Sequence, residues 1–144
     1  MKVNCLLIDD EPLALRVLEN HIEKIPWLHV VKTCTNPLEA LEELKKHRVD
    51  LLFLDIQMPE LSGLDFMDSL SSSPAVIFTT AYRQFAADAF DLDGLDYLIK
   101  PIAFPRFMKA VNKYLERHVP SADLPIPQHP DADEKRFFFI RQGR

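Results

Sequence analysis

The sequence predicts an α/β domain wound around a parallel β-sheet, and three observations carry that prediction. Short apolar runs alternate along the chain with stretches of helical spacing. Four of those runs each deliver polar or charged residues at or just beyond their C-terminal ends: Cys5-Leu6-Leu7-Ile8 into Asp9-Asp10-Glu11, Leu51-Leu52-Phe53-Leu54 into Asp55, Ala75-Val76-Ile77-Phe78 into Thr79-Thr80, and Tyr97-Leu98-Ile99 into Lys100-Pro101. Strands buried on both faces of a parallel sheet read as such continuous runs, and open α/β sheets bind ligands beyond the strands' carboxyl ends. Finally, 144 residues at 47% hydrophobic content make one ordinary domain with a sizeable core and room for an appendage.

The elements follow in order. The first strand spans Val3 to Ile8. Pro12 suits a helix's first turn, and Leu15, Leu18, Ile22 and Ile25 recur at helical spacing until Pro26 stops the helix. Leu28 to Cys34 reads as the second strand. Asn36-Pro37-Leu38-Glu39 is a start signal, with Asn36 as cap, Pro37 at the first helical position and Glu39 closing a box. That helix runs to about His47, with Leu38, Leu41 and Leu44 expected inside and Glu42, Glu43, Lys45 and Lys46 in water. Leu51 to Leu54 is the third strand, and Leu64 to Leu70 a third helix after the Ser62-Gly63 turn. Ala75 to Phe78 is the fourth strand, and Phe85, Ala86, Ala89 and Phe90 mark a short fourth helix. Tyr97 to Ile99 is the fifth strand, and Phe104 to about Arg117 the final amphipathic helix.

Strict strand–helix alternation predicts a three-layer sandwich, with helices on both faces of the sheet. The right-handed crossover rule leaves few topologies, of which the flavodoxin-like (βα)5 order 2-1-3-4-5 is the simplest. This domain covers residues 1–118. Residues 119–136, with Pro120, Pro125, Pro127 and Pro130, read as a semi-extended linker. Residues 137–144, opening Phe137-Phe138-Phe139-Ile140-Arg141, form a strand with nothing left to pair with, which suggests the beginning of a second domain. A tail folded back on the first domain is the alternative.

Composition excludes several functions. A net charge of −5 argues against this segment wrapping a nucleic-acid backbone. No apolar run approaches a membrane span and no signal peptide fits, so a cytoplasmic chain is expected. Cys5 and Cys34 lie within strand-like runs as buried structural thiols, and the five histidines show no metal-ligand spacing. Three glycines in total leave no phosphate-cradling nucleotide loop.

Taken together, the Asp pair, the single Asp, the Thr and the Lys describe one site at the sheet's carboxyl edge. Three carboxylates crowd together only if a cation offsets their repulsion, and hard oxygen ligands with room for water and phosphate suit Mg²⁺. Individually each residue has a plainer reading: an Asp after a strand is often a helix cap, Thr80 a turn hydroxyl and Lys100 a solvated charge. Glu11 is the most ambiguous of the acids, since it can simply cap the first helix.

Leu7-Ile8-Asp9-Asp10-Glu11-Pro12, Leu54-Asp55-Ile56-Gln57-Met58-Pro59 with Ser62-Gly63-Leu64, Thr79-Thr80-Ala81-Tyr82 and Asp96-Tyr97-Leu98-Ile99-Lys100-Pro101 resemble the receiver domain of two-component response regulators, over residues 2 to about 118. The Asp-Glu-Pro-Leu-Ala phrase and the one ending Leu-Asp-Tyr-Leu-x-Lys-Pro are similar to receivers attached to a LytTR-type DNA-binding domain, and Phe138 to Arg144 is similar to that domain's first strand. The resemblance implies a receiver, not an enzyme beyond Mg²⁺-dependent self-phosphorylation and autodephosphorylation. Asp55 is then the phosphoacceptor for a sensor histidine kinase, a strand-end carboxylate acting as nucleophile. Asp10 and Asp55 bind Mg²⁺ directly, Asp9 through a water, and Gln57 through its backbone carbonyl. Lys100 neutralises a phosphoryl oxygen, aimed by a cis Lys100–Pro101 peptide, and Thr80 with the Ala81 N–H binds others.

The resemblance also implies a switch. Thr80 moves toward the phosphate and the Tyr97 ring turns into the vacated space. The face formed by the fourth helix, fifth strand and fifth helix is remodelled into a homodimer interface, for which Phe85, Phe90, Leu92 and Leu95 supply apolar surface. Two DNA-binding domains would then occupy paired half-sites and regulate transcription. Ile102-Ala103 stands where relatives commonly carry an aromatic and a polar residue, so the last helix starts differently here. Rival readings are a phosphorylation-independent docking receiver, a Mg²⁺-dependent phosphohydrolase, which lacks its Asp-x-Asp here, and a flavodoxin-like cofactor binder, which would want a Ser/Thr/Gly loop where this chain has acids.

Overall fold

A computed structural model of the protein describes residues 1–84 and 94–118. The elements are β1 (Val3–Ile8), α1 (Pro12–Glu23), β2 (Leu28–Cys34), α2 (Pro37–Lys46), β3 (Leu51–Asp55), α3 (Gly63–Asp68), β4 (Ala75–Thr80), β5 (Asp96–Ile99) and a final helix (Phe104–His118). The five strands form one sheet in the order β2-β1-β3-β4-β5, as the alternation predicts, and every pairing is parallel. The expected fourth helix around Phe85 to Phe90, the linker and the last strand lie outside the described residues.

Alternate residues of each strand serve different cores, which is why the runs are apolar without interruption. Cys5 and Leu7 of β1, with Phe53, Ile77 and Leu98, face Leu15, Leu18 and Ile22 of α1 and Phe107, Ala110 and Val111 of the final helix. Leu6 and Ile8, with Leu52, Leu54, Val76 and Phe78, face Ala40 and Phe66 on the other side. Phe53 stacks on Phe107 at a centroid distance of 5.4 Å, fixing the final helix against the middle of the sheet. Burial pushes both thiols, Cys5 and Cys34, up to about 12, so they are inert packing groups.

The helix starts use the expected devices with one departure. Asn36 Oδ1 accepts from the Glu39 N–H at 2.8 Å, but Glu39 reaches back to the Thr35 N–H rather than to that of Asn36. Ser62 Oγ caps α3 by accepting from the Asp65 N–H at 3.1 Å. Of the expected α2 stripe, Leu41 and Leu44 are half-buried against the core, but Leu38 is turned out. Leu38 is 65% exposed, whereas Pro37, Ala40 and Glu43 are buried. At 3.6 residues per turn Leu38 lies about 160° around the helix from Ala40. The small Ala40 lets the helix sit close on the sheet, and Glu43 meets His47 at 3.0 Å. Leu95, expected on the dimer surface, is instead buried in the core beside Leu98. No helix among the described residues is long and apolar enough to cross a membrane.

Candidate functional site

Strand register brings the polar residues together. Ile8 pairs with Leu54, so Asp9 and Asp55 are the next residues on neighbouring strands. Asp55 pairs with Thr79, which leaves Thr80 one position beyond it. Thr80 in turn pairs with Ile99, and Lys100 follows. The set climbs the carboxyl edge of three adjacent inner strands and one edge strand.

Three of these side chains are oriented by the main chain two residues on. The Glu11 N–H donates to Asp9 Oδ1 at 2.9 Å. The Gln57 N–H donates to Asp55 Oδ1 at 3.1 Å, and the Tyr82 N–H to Thr80 Oγ1 at 3.1 Å. Short polar side chains after a strand make such local turns readily. Each carboxylate thereby keeps its Oδ2 for another partner, and Thr80 keeps its hydroxyl hydrogen.

Lys100 supplies that partner. Its Nζ lies 2.8 Å from Asp9 Oδ2, 3.2 Å from Glu11 Oε1 and 3.4 Å from Asp55 Oδ2. Its backbone N–H donates to Thr80 O at 2.7 Å, and the Lys100–Pro101 peptide is cis. Burial works against the ammonium, but Asp9, Asp55 and Glu11 outweigh it and hold Lys100 above its ordinary range. For Asp55, burial and then the Asp9 charge raise the carboxyl from 3.8 to about 7, against the lowering pull of Lys100 and the Gln57 N–H.

One ammonium does not satisfy this many acids. The buried Asp9 Oδ2 has the Lys100 ammonium at 2.8 Å, which the lysine shares with Glu11 and Asp55. Asp9, Asp10 and Asp55 each offer an oxygen within 4.8 Å of the others, and Asp10 is exposed on the open side. An all-oxygen donor set in which one ammonium faces several carboxylates fits a hard dication such as Mg²⁺. A groove of about 610 Å³, lined by Asp10, Gln57, Met58, Pro59 and Ser62 among others, leads to this side.

Not every expected site residue joins the cluster. Gln57 contributes its N–H to Asp55, and its side chain is exposed, as is Ala81. The half-buried Tyr97 stacks on Phe78 at 5.8 Å. Its hydroxyl accepts from the Gly94 N–H at 3.1 Å and lies 3.4 Å from Gly94 O, to which it donates. Glu11 occupies the cap position of α1 yet makes no side-chain cap bond; its carboxylate goes to Lys100 instead. Sequence reasoning missed that role, although Glu11 directly follows the Asp pair. It also missed the buried Asp96, gripped by Arg106 through two 2.8 Å hydrogen bonds and by Lys113 at 3.2 Å.

A doubly wound sheet that gathers carboxylates around one lysine at its carboxyl edge defines a class, the receivers of response regulators. Residues 5–112 match the response regulator receiver domain, and the chain belongs to that family. The sensory transduction protein LytR of Staphylococcus haemolyticus is 40% identical over 111 residues, covering 75% of this chain and 43% of that protein. The transcriptional regulatory protein BtsR of Salmonella typhi is 34% identical over 132 residues, 90% of this chain and 55% of that protein. The chain thus spans about half the length of these curated relatives. Among solved structures, the receiver domain of AraT, a response regulator from Geobacillus stearothermophilus, is 34% identical with a TM-score of 0.69, covering 81% of this chain and 95% of that one.

Proposed function

We propose that the chain is the phosphoacceptor part of a bacterial two-component response regulator, taking a phosphoryl group on Asp55 from a sensor histidine kinase. The observation that carries this reading is the Lys100 ammonium, 2.8 Å from Asp9 and 3.4 Å from Asp55 at the sheet edge. Asp55 Oδ1 is held by the Gln57 N–H, which leaves Oδ2 as the attacking oxygen. An O–P bond forms there as the donor's N–P bond breaks, the imidazole keeping that electron pair. A carboxylate attacking a phosphoryl group meets anionic repulsion, so the site must supply positive charge. Asp10 and Asp55, the Gln57 carbonyl and Asp9 through a water would hold Mg²⁺. When bound, the ion supplies charge that offsets the phosphoryl oxygens. Lys100 neutralises one of those oxygens, while the Thr80 hydroxyl and the Ala81 N–H bind others.

The chain on this reading is a signalling acceptor rather than an enzyme acting on other molecules. Thr80 and Tyr97 form the switch, and phosphorylation promotes a homodimer through the face of the fourth helix, fifth strand and fifth helix. Residues 1–118 are the receiver, 119–136 a linker and 137–144 the first strand of a LytTR-type DNA-binding domain that regulates transcription in the cytoplasm. The similarity of Phe138 to Arg144 to that domain and the matches to LytR and BtsR support this assignment. Labelling by a phosphodonor with Mg²⁺ tests the acceptor: Asp55→Asn is expected to abolish it, and undiminished labelling would refute the assignment. Sedimentation with beryllofluoride and Mg²⁺ tests the dimer, and a persistent monomer would count against it.

A further inference from the structure

We infer that His21, on α1, is a positioning residue for Lys100, because its ring ties the loop that carries the lysine to the helix that follows the acids. The inference rests on the reading of Asp55 as acceptor and Lys100 as its charge partner. His21 Nε2 lies 2.7 Å from Ile102 O. A carbonyl only accepts, so Nε2 carries the hydrogen and donates it. The ring packs beside Phe104 at 5.4 Å and Phe107 at 5.2 Å, with Lys24 Nζ 4.8 Å from the centroid of the Phe104 ring.

The choice of histidine is informative. Its Nδ1 is buried without a hydrogen-bond partner, a cost that phenylalanine or leucine on the same aromatic seat would not carry. What histidine adds there is the Nε2–H.

That bond closes a frame around Lys100. The loop from Lys100 to Ala103 leaves β5 with the Lys100 N–H bound to Thr80 O. It enters the final helix where Arg106 grips Asp96. Both of those ties run to strands. The His21 bond is the hydrogen bond from this loop's backbone to α1 among the described residues. α1 begins beside Glu11, whose N–H fixes Asp9 and whose carboxylate meets Lys100 at 3.2 Å. Glu11 and His21 are separated by roughly 15 Å along the helix axis, comparable to an extended lysine side chain plus the step to Ile102. One helix therefore braces the lysine's loop at one end and the acids at the other.

The test uses the chain with His21→Phe, which keeps the ring packing and loses the donor, and His21→Gln, which can restore a donor. Labelling with acetyl phosphate and Mg²⁺ is followed to saturation, with melting temperatures recorded alongside. His21→Phe is expected to lower the saturating rate about fivefold at an unchanged half-saturating acetyl phosphate concentration. His21→Gln should recover most of it. In a Lys100→Ala background the same substitution should slow labelling no further. A wild-type rate for His21→Phe, or equal slowing with and without Lys100, would overturn the inference. So would nitrogen NMR of the unsubstituted chain showing His21 protonated on Nδ1 alone, a readout that needs no variant. If the unsubstituted chain takes no label, or Asp55→Asn labels fully, the acceptor reading itself fails and takes this inference with it.

Discussion

Replacing Asp55 by Asn is predicted to stabilise the metal-free protein at neutral and alkaline pH, although it removes the proposed acceptor. Asp55 is 5% exposed at its side chain, so solvent screens it little. Burial and the neighbouring Asp9 hold its carboxyl at about 7 rather than 3.8. A raised carboxyl in the folded state means that the folded protein keeps a proton the unfolded chain has released. Stability therefore falls as pH rises from about 4 to about 7 and is flat beyond. The full difference corresponds to roughly 4 kcal/mol, of which about a third has accrued at pH 5. Asparagine keeps an oxygen for the Gln57 N–H and removes the charge, while Lys100 retains Asp9 and Glu11. The variant's advantage in urea unfolding with a chelator should grow by about 2–3 kcal/mol between pH 5 and pH 8, a midpoint shift of roughly 1–2 M. An advantage that does not change with pH, or a less stable variant at pH 8, would refute the account of Asp55 as a strained, buried charge.

Three further outcomes follow from the same geometry. A Cβ at Gly63 would stand 2.4 Å from Asp55 O and 2.9 Å from Ile56 Cα; Gly63→Ala should cost about 2–3 kcal/mol, seen as a lowered melting temperature and slower labelling. Asp96→Asn leaves Arg106 and Lys113 partly exposed, at 41% and 35%, so solvent recovers part of the loss and about 1–2 kcal/mol is expected at pH 7. Burial pushes Asp96 up, but the Arg106 and Tyr97 hydrogen bonds and the Arg106 and Lys113 charges outweigh it and hold the carboxyl low. That contribution is present above about pH 4 and is lost as pH falls through the folded value, so wild type and variant should converge in acid melts. Mg²⁺ at a hundredfold excess over its dissociation constant should stabilise the chain by about 2.7 kcal/mol, and Asp10→Asn should remove most of that shift in a thermal melt.

The sheet and its edge were legible because their causes are local. Runs such as Leu51 to Leu54 are apolar throughout since both faces are covered, and the next residue after each strand necessarily reaches the carboxyl edge. Parallel register then assembles Asp9, Asp55, Thr80 and Lys100 with no further information. What escaped depends on rotation or reach. The leucines of α2 fit a helical stripe, but the small Ala40 sets the contact face and turns Leu38 out. Asp96 and Arg106 are ten residues apart across a loop, and nothing in their spacing announces a clamp. Glu11 suited a cap by position, yet Lys100 offers its carboxylate the opposite charge.

The three turns that orient Asp9, Asp55 and Thr80 have an evolutionary consequence. The donors at positions 11, 57 and 82 are peptide N–H groups, which every residue but proline possesses. Mutation can therefore explore the exposed side chains at 57 and 82 without disturbing the oxygens their N–H groups hold in place, whereas the Glu11 carboxylate also meets Lys100. Lineages can retune how such a site meets donors, water and partners through substitutions that leave its alignment intact.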